Sequence, residues 1–530
     1  MLPTSLMNLR TLSTPRTDHR PRLRLALGTC LGLGAVGWIA LVLAATRAYP
    51  GNRFLFLTFV LVYTSMAALI LPKPRLYGYT FLAAFLFLGF CAKSIAYLGL
   101  GVALIEPTGK FDGSGHAWDS ALLPAMAGSA AVITIRLIHL VMFRGAHEAR
   151  FPFGSPPPAW YVRMRFPILA ASFVGFVVLN GLNFVLTFYQ IGLTPKLVLP
   201  AHLSVIVEWL FVGGFAMWVA TLVGWEAQVR PGRFGSLLIV AFGEAVASLS
   251  TLSRAAYLFR ALSYLLVAAE FPAFFRAQLT RRWRLFLAVL VPFGLAFTVA
   301  SVSLLRFGIY AAYFQPALVT PTPTVAAIAT PSPSVATTSS LVLTPSPTAG
   351  SVPVRITRSQ EATREVGLLV VGRWIGIEGT MAVSSYPGLS VDTFRHALTE
   401  SPSIGEAAFY QRLAGSTYHT TAQYEFLTTP GTVAILYYSG SLAIVALGMG
   451  LLTALLFAFE MITSRLSGNA LTVSIVAMTL ANAVAQMQFP YLFLVFLVEQ
   501  AVAVAALGLL SRGLSWRAAG LKDATASPIE

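Results

Sequence analysis

FLFLTFVLVYTSMAALILP (54–72) and VAILYYSGSLAIVALGMGLLTALLFAF (433–459) contain no Asp, Glu, Lys or Arg. Roughly 20 apolar residues suffice for a helix to cross a bilayer, so each stretch reads as a membrane span. The whole chain has the same character: hydrophobic residues make up 56% of the 530 and charged residues 11%, with a mean hydropathy of +0.74. A water-facing globular protein carries about 25% charged residues. These values exclude a soluble enzyme, a disordered chain and a nucleic-acid-binding domain. They leave an all-α polytopic membrane protein, because a segment in lipid must satisfy its own backbone hydrogen bonds.

Working outward, apolar runs at 25–46, 54–71, 79–102, 121–143, 166–189, 200–225, 235–252, 255–275, 285–313, 432–459, 469–488 and 490–510 predict about twelve transmembrane helices. Residues 1–24 form a basic N-terminus and 25–313 hold the first nine spans. A Pro/Thr/Ser-rich tether follows at 314–350, then a loop subdomain at 351–431, the last three spans within 432–510 and a tail at 511–530. With both termini in the cytoplasm, the inner segments carry 21 Lys and Arg, and the outer loops other than 314–431 carry four, leaving aside the turn that holds Arg254. Inner loops concentrate basic residues. The same rule accounts for the net charge of +16 without a nucleic-acid partner. Cys30 and Cys91 both lie in apolar runs, so neither a disulfide framework nor metal-ligand spacing is present.

The tether, with TPTPTVAAIATPSPSVATTSS at its centre, lacks the bulky apolar side chains needed to offset chain entropy and reads as a flexible spacer. The 351–431 part is different. It carries six Arg and seven acidic residues, and its VGLLVVGRWIGIEG stretch predicts a small folded lid or a partly re-entrant element.

No Walker loop, dinucleotide fingerprint, His-Glu-x-x-His motif or nucleophile elbow occurs. The chemistry must come from polar groups placed where lipid makes them costly: Lys93, Arg136, Glu208, Glu244, Arg260, Arg306 and Glu499. Arg136 reads as snorkelling to the inner interface, Glu499 as an interhelical partner, and Glu244 as a partner of Arg260 or Lys93. Arg254 falls in the short outer turn of SLSTLSRAAYLFRALSY (248–264). Such a turn should avoid Arg, and a guanidinium fork there matches phosphate oxygens. In GRWIGIEG (372–379), Arg373 and Glu378 flank a short apolar insert whose glycines permit close backbone approach. His396 and His419, with Arg395 and Arg412, follow, and imidazole is suited to moving a proton near neutral pH. Tyr437 to Ser441 open the tenth span with a small polar tip that packs tightly or lines a wet cavity.

STLSRAAYLF (250–259), GRWIGIEG and TTPGTVAILYYSGS (428–441) resemble elements of the bacterial oligosaccharide repeat-unit polymerases (Wzy-like) and O-antigen ligase-like membrane glycosyltransferases. The resemblance extends by layout over 235–500, and the Thr/Pro tether departs from the usual loop of that family. It implies transfer of a glycan from undecaprenyl diphosphate to a second carrier-linked unit at the extracytoplasmic face of a bacterial inner membrane. Arg254 and Arg373 would hold the diphosphate, and Glu378, His396 or His419 would take the acceptor proton. Glu244 and Arg260 would be intramembrane polar partners. No cofactor or metal is implied, since the carrier diphosphate is already activated. The implied partners are the carrier-linked oligosaccharide, membrane lipids and other polysaccharide-assembly proteins. A transporter or flippase of lipid-linked oligosaccharide is the competing reading, although the two halves show no internal repeat of the kind common in transporters.

The charge asymmetry generates a topology prediction. Reporter fusions after residues 20, 150, 280 and 520 should report cytoplasm, and fusions within 320–425 the outside. Cytoplasmic signal from the 320–425 fusions would overturn the topology.

Overall fold

In the computed structural model, residues 20–102, 104, 106–143, 157–191, 195–229, 235–272, 275, 280–314, 374–401, 407–416 and 429–512 are described. They form an all-helical bundle. The helices are α1 (Arg20–Ala48), α2 (Arg53–Ala68), α3 (Tyr77–Leu100), α4 (Gly115–Met142), α5 (Ala159–Arg163), α6 (Arg165–Leu186), α7 (Ala201–Trp209, continuing to Val229), α8 (Gly235–Ser250), α9 (Ala256–Glu270) and α10 (Arg281–Phe314). After the tether come α11 (Ile377–Ser384), α12 (Val391–Thr399), α13 (Phe409–Ala414), α14 (Thr432–Tyr437), α15 (Leu442–Ser467), α16 (Ala470–Ala485) and α17 (Pro490–Arg512).

Each of the twelve apolar runs carries a helix. Among the described residues, seven helices are long and apolar enough to cross a membrane: α3, α4, α6, α7, α10, α15 and α17. The expected continuous span 432–459 is instead two helices. Gly440, at φ +69, turns the chain between α14 and α15, and the Ser441 side chain caps the new helix at the Ile444 N–H. Two other helices stay continuous but widen locally into π turns, α3 over Phe87–Ala92 and α7 over Leu210–Gly214. Such turns often mark functional positions.

The bundle is built around α16. Its sequence, ALTVSIVAMTLANAVA, is small or apolar on every side, which lets neighbouring helices approach closely, and fourteen of its residues are buried. It packs against α3, α7, α9 and α15. At its start Asn469 caps Leu471 N–H at 3.0 Å and donates to the Ala220 carbonyl of α7 at 3.2 Å. By contrast α6 and α10 keep long apolar faces exposed, including Phe173, Val177, Val289 and Phe293.

Two buried charges close helix ends that the local sequence leaves open. The Leu76 side chain gives α3 no cap. The Glu460 carboxylate on α15 accepts from Tyr77 N–H at 2.8 Å and Gly78 N–H at 2.7 Å in its place. At the end of α2, Arg136 donates to the Leu69 and Pro72 carbonyls at 3.3 and 2.8 Å and meets His139 Nδ1 at 3.2 Å. Arg136 is fully buried, which corrects the expectation that it snorkels. The free carbonyls of a helix C-terminus attract a cation, and those at the end of α2 hold Arg136 inside the bundle.

Glu460→Ala should therefore destabilise the protein by about 1.5–3 kcal/mol, the range for losing a hydrogen bond to a charged group. Glu460→Gln, which keeps one acceptor oxygen, should cost less. Denaturation of purified variants in micelles checks the order; equal stability of all three proteins would contradict it.

Candidate functional site

The described part of the GRWIGIEG stretch, from Trp374 onward, lies within the bundle. Ile375 and Gly376 run against the π turn of α3. A Cβ at Gly89 would collide with the Ile375 carbonyl, and one at Gly376 with the Gly89 backbone. The widened turn and the two glycines are complementary. Gly379 approaches the Pro430 carbonyl in the same manner. The glycines at 376 and 379 thus serve the close approach expected of them, and Gly89 is the partner that the loop sequence does not reveal. Behind them α11 packs against α4, α13 and α14, with Ile377 through Val383 all buried.

Burial of α11 brings Glu378 to Lys93, the first residue after the π turn. Their charged atoms are 2.5 Å apart, and each side chain is 3% exposed. Lys93 Nζ also donates to the Trp374 carbonyl at 2.8 Å. Desolvation raises the Glu378 carboxyl above its ordinary range, and the Lys93 ammonium opposes that shift. A lysine and a glutamate this deep are tolerated because each compensates the other.

Near this pair, α13 contributes Tyr410, and the link between α14 and α15 contributes Tyr438. Both are buried. The Phe409 ring lies 5.3 Å from Tyr438, 5.6 Å from His396 and 5.9 Å from Tyr386, edge to face in each case. Its backbone N–H donates to Glu400 Oε1 at 2.6 Å. His396, on α12, is exposed at the rim of this cluster. Sequence reading missed Tyr410 altogether, since nothing in FYQRLA distinguishes it from a core tyrosine.

The second expected constellation is the turn between α8 and α9. Arg306 Nε donates to the Leu252 carbonyl at 3.0 Å, and its NH2 group to the Ile191 carbonyl at 2.7 Å. Asn183 donates to the Ser250 carbonyl at 2.9 Å, and the Ser250 hydroxyl donates to Asn180 Oδ1 at 2.6 Å. Leu252 is held at φ +53, and Ser253 Oγ caps α9 at the Ala256 N–H, 3.1 Å away. Arg254 is thus presented by a fixed turn and is itself half-buried. Within the bundle Arg260 pairs with Glu244 and donates to the Phe211 carbonyl at 2.6 Å, in the π turn of α7. Of the two partners weighed for Glu244 the structure selects Arg260, and Lys93 goes to Glu378.

An aromatic triangle connects the two constellations. Phe85 of α3 lies 5.1 Å from Phe259 of α9 and 6.2 Å from Trp374, and Phe259 lies 6.4 Å from Trp374. Arg373 and His419 lie outside the described residues. Among the described residues, no three His, Cys, Asp or Glu side chains converge as a metal site would require. No protein family matches the chain, and no curated protein or solved structure is detectably similar to it.

If the ion pair seats α11, removing one partner leaves a buried charge alone, at a cost of about 3–5 kcal/mol. Lys93→Met and Glu378→Met should each lower stability strongly, and the double variant should be more stable than either single one. Additive losses across this cycle in thermal denaturation would show that the two side chains do not depend on each other.

Proposed function

We propose that the chain is a membrane glycosyltransferase that polymerises or ligates oligosaccharide units carried on undecaprenyl diphosphate. The proposed setting is the extracytoplasmic face of a bacterial inner membrane, with twelve crossings and both termini in the cytoplasm. The observation that carries the reading is the entry of the 374–384 stretch into the bundle. It sets the buried Glu378 carboxylate beside Lys93 and rests the Trp374 ring against Phe259, on the helix that begins at the Arg254 turn.

In the proposed reaction an acceptor hydroxyl attacks the anomeric carbon of the donor glycan. The new C–O bond forms as the bond from that carbon to the diphosphate oxygen breaks. The electron pair leaves on the diphosphate, where Arg254 and Arg373 stabilise the growing charge. The acceptor proton passes to Glu378, His396 or His419. Glu378 is held by Lys93 and shut from water, which suits a carboxylate that acts only when substrate displaces part of its surroundings. His396 is open to solvent and can return a proton to water directly.

One observation favours the competing flippase reading. The helix break before α15 and the π turns of α3 and α7 are interruptions of the kind transporters use to line a substrate path. A strain lacking the protein separates the two. Single carrier-linked units accumulating on the outer face support the transferase, and units trapped inside support the flippase.

Arg254→Ala and Arg373→Ala should each reduce polymer more than tenfold, since a charge-assisted hydrogen bond is worth about 1.5–3 kcal/mol and about 1.4 kcal/mol is a factor of ten. Lys at either position should restore only part, because it keeps the charge and loses the fork. Full-length polymer from both Ala variants at normal protein level would remove these residues from the site.

A further inference from the structure

Buried hydroxyls without partners call for an explanation, and two of them lie near each other. Tyr410 is 4% exposed and Tyr438 is 2% exposed, and neither phenol oxygen has a hydrogen-bond partner among the described residues. Tyr438 lies beside Phe409, whose ring also meets the half-buried Tyr386 and the exposed His396, and Tyr410 is near enough to Tyr438 to interact with it electrostatically. Charged neighbours narrow what such a place accepts. Glu106 acts electrostatically on Tyr410 and Glu400 on Tyr438, while the Glu378 charge nearby is compensated by Lys93. The Glu106 and Glu400 carboxylates disfavour an anion, so a phosphate or nucleotide does not fit. An acyl chain would leave the phenols unpaired. A neutral polyhydroxylated ring meets both demands. Its C–H faces lie against aromatic rings, and its hydroxyls give and take hydrogen bonds. Burial and these neighbours hold the Tyr410 phenol well above its ordinary range, so it remains an O–H donor.

We propose that Tyr410 and Tyr438 are the hydrogen-bonding floor of a saccharide-binding site whose wall is Tyr386, His396 and Phe409. The proposal deepens the glycan-transfer reading, on which the assignment of this sugar as the acceptor rests. It makes these two phenols specificity-determining groups that bind sugar hydroxyls and take no part in bond making.

The test exploits the missing partners. Removing a hydroxyl that has a partner in the empty protein lowers stability, whereas removing one that waits for a ligand does not. Tyr410→Phe, Tyr438→Phe and the double variant should melt at or above the wild-type temperature in lipid nanodiscs. Maltotriose, cellotriose, chitotriose and mannotriose serve as probes of thermal shift. At least one should raise the melting temperature of the wild type in a concentration-dependent manner, with affinity lowered about 2- to 10-fold in each single variant, as expected for one hydrogen bond.

Two results of the binding test would overturn the site. One is a lower melting temperature in the Phe variants without ligand, which would mean the hydroxyls have structural or water partners. The other is either no shift from any of the four sugars or equal shifts in wild type and double variant. Because free trisaccharides carry no diphosphate, sugar binding without polymer formation would defeat the transfer reading alone. Polymer formation unaffected by both Phe substitutions would defeat the site alone.

Discussion

The Lys93 ammonium lies inside the bundle 2.5 Å from the Glu378 carboxylate, and neither side chain reaches water. In a low-dielectric interior each would be prohibitive without the other. That constraint fixes where α11 sits. With α11 in place, Gly376 lies on Gly89 and Gly379 on Pro430, and α13 and α14 gain a surface to pack on. The phenols of Tyr410 and Tyr438 are enclosed as a consequence. The π turn of α3 belongs to the same arrangement, since it widens the helix just before Lys93 and leaves room for the Ile375–Gly376 backbone.

A second level of order comes from cations and carboxylates that serve backbone groups. Glu460 takes the opening N–H groups of α3, Arg136 the closing carbonyls of α2, and Arg306 the carbonyls of two turns. In each case a helix end or turn that would otherwise hold unsatisfied polar groups is closed by a charge from a distant helix. Lipid offers no water to do so. The placement of Arg254 derives from this level, through the hydrogen bonds that hold the turn from Ser250 to Ser253.

Helix positions were readable because apolar runs of bilayer length leave few alternatives. What was not readable was pairing. Lys93 was recognisable as a charge in need of a partner, but its partner lies far along the chain, beyond the tether, and no local pattern links them. The glycines of GRWIGIEG announced a close approach without saying to what. The break after α14 had a local sign in the small polar run Ser439–Gly440–Ser441, yet the flanking sequence is so apolar that a continuous span was the simpler reading. Arg136 departs from its expected place because the open carbonyls at the end of α2 hold it, and nothing in the sequence around Arg136 reveals them. Tyr410 carried no sign at all, since a tyrosine in a short helix is ordinary until its hydroxyl is found without a partner among the described residues.

A stretch lying within the most hydrophilic part of the chain is packed inside the helical bundle and held there by Lys93. Amide hydrogen exchange in lipid nanodiscs addresses it most directly. Residues 377–383 should exchange as slowly as the central helix α16 in the wild type, and this protection should be lost in Lys93→Met while that of α16 is largely kept. Rapid exchange of 377–383 in the wild type, or protection unchanged by Lys93→Met, would mean that Lys93 does not hold this stretch in the bundle.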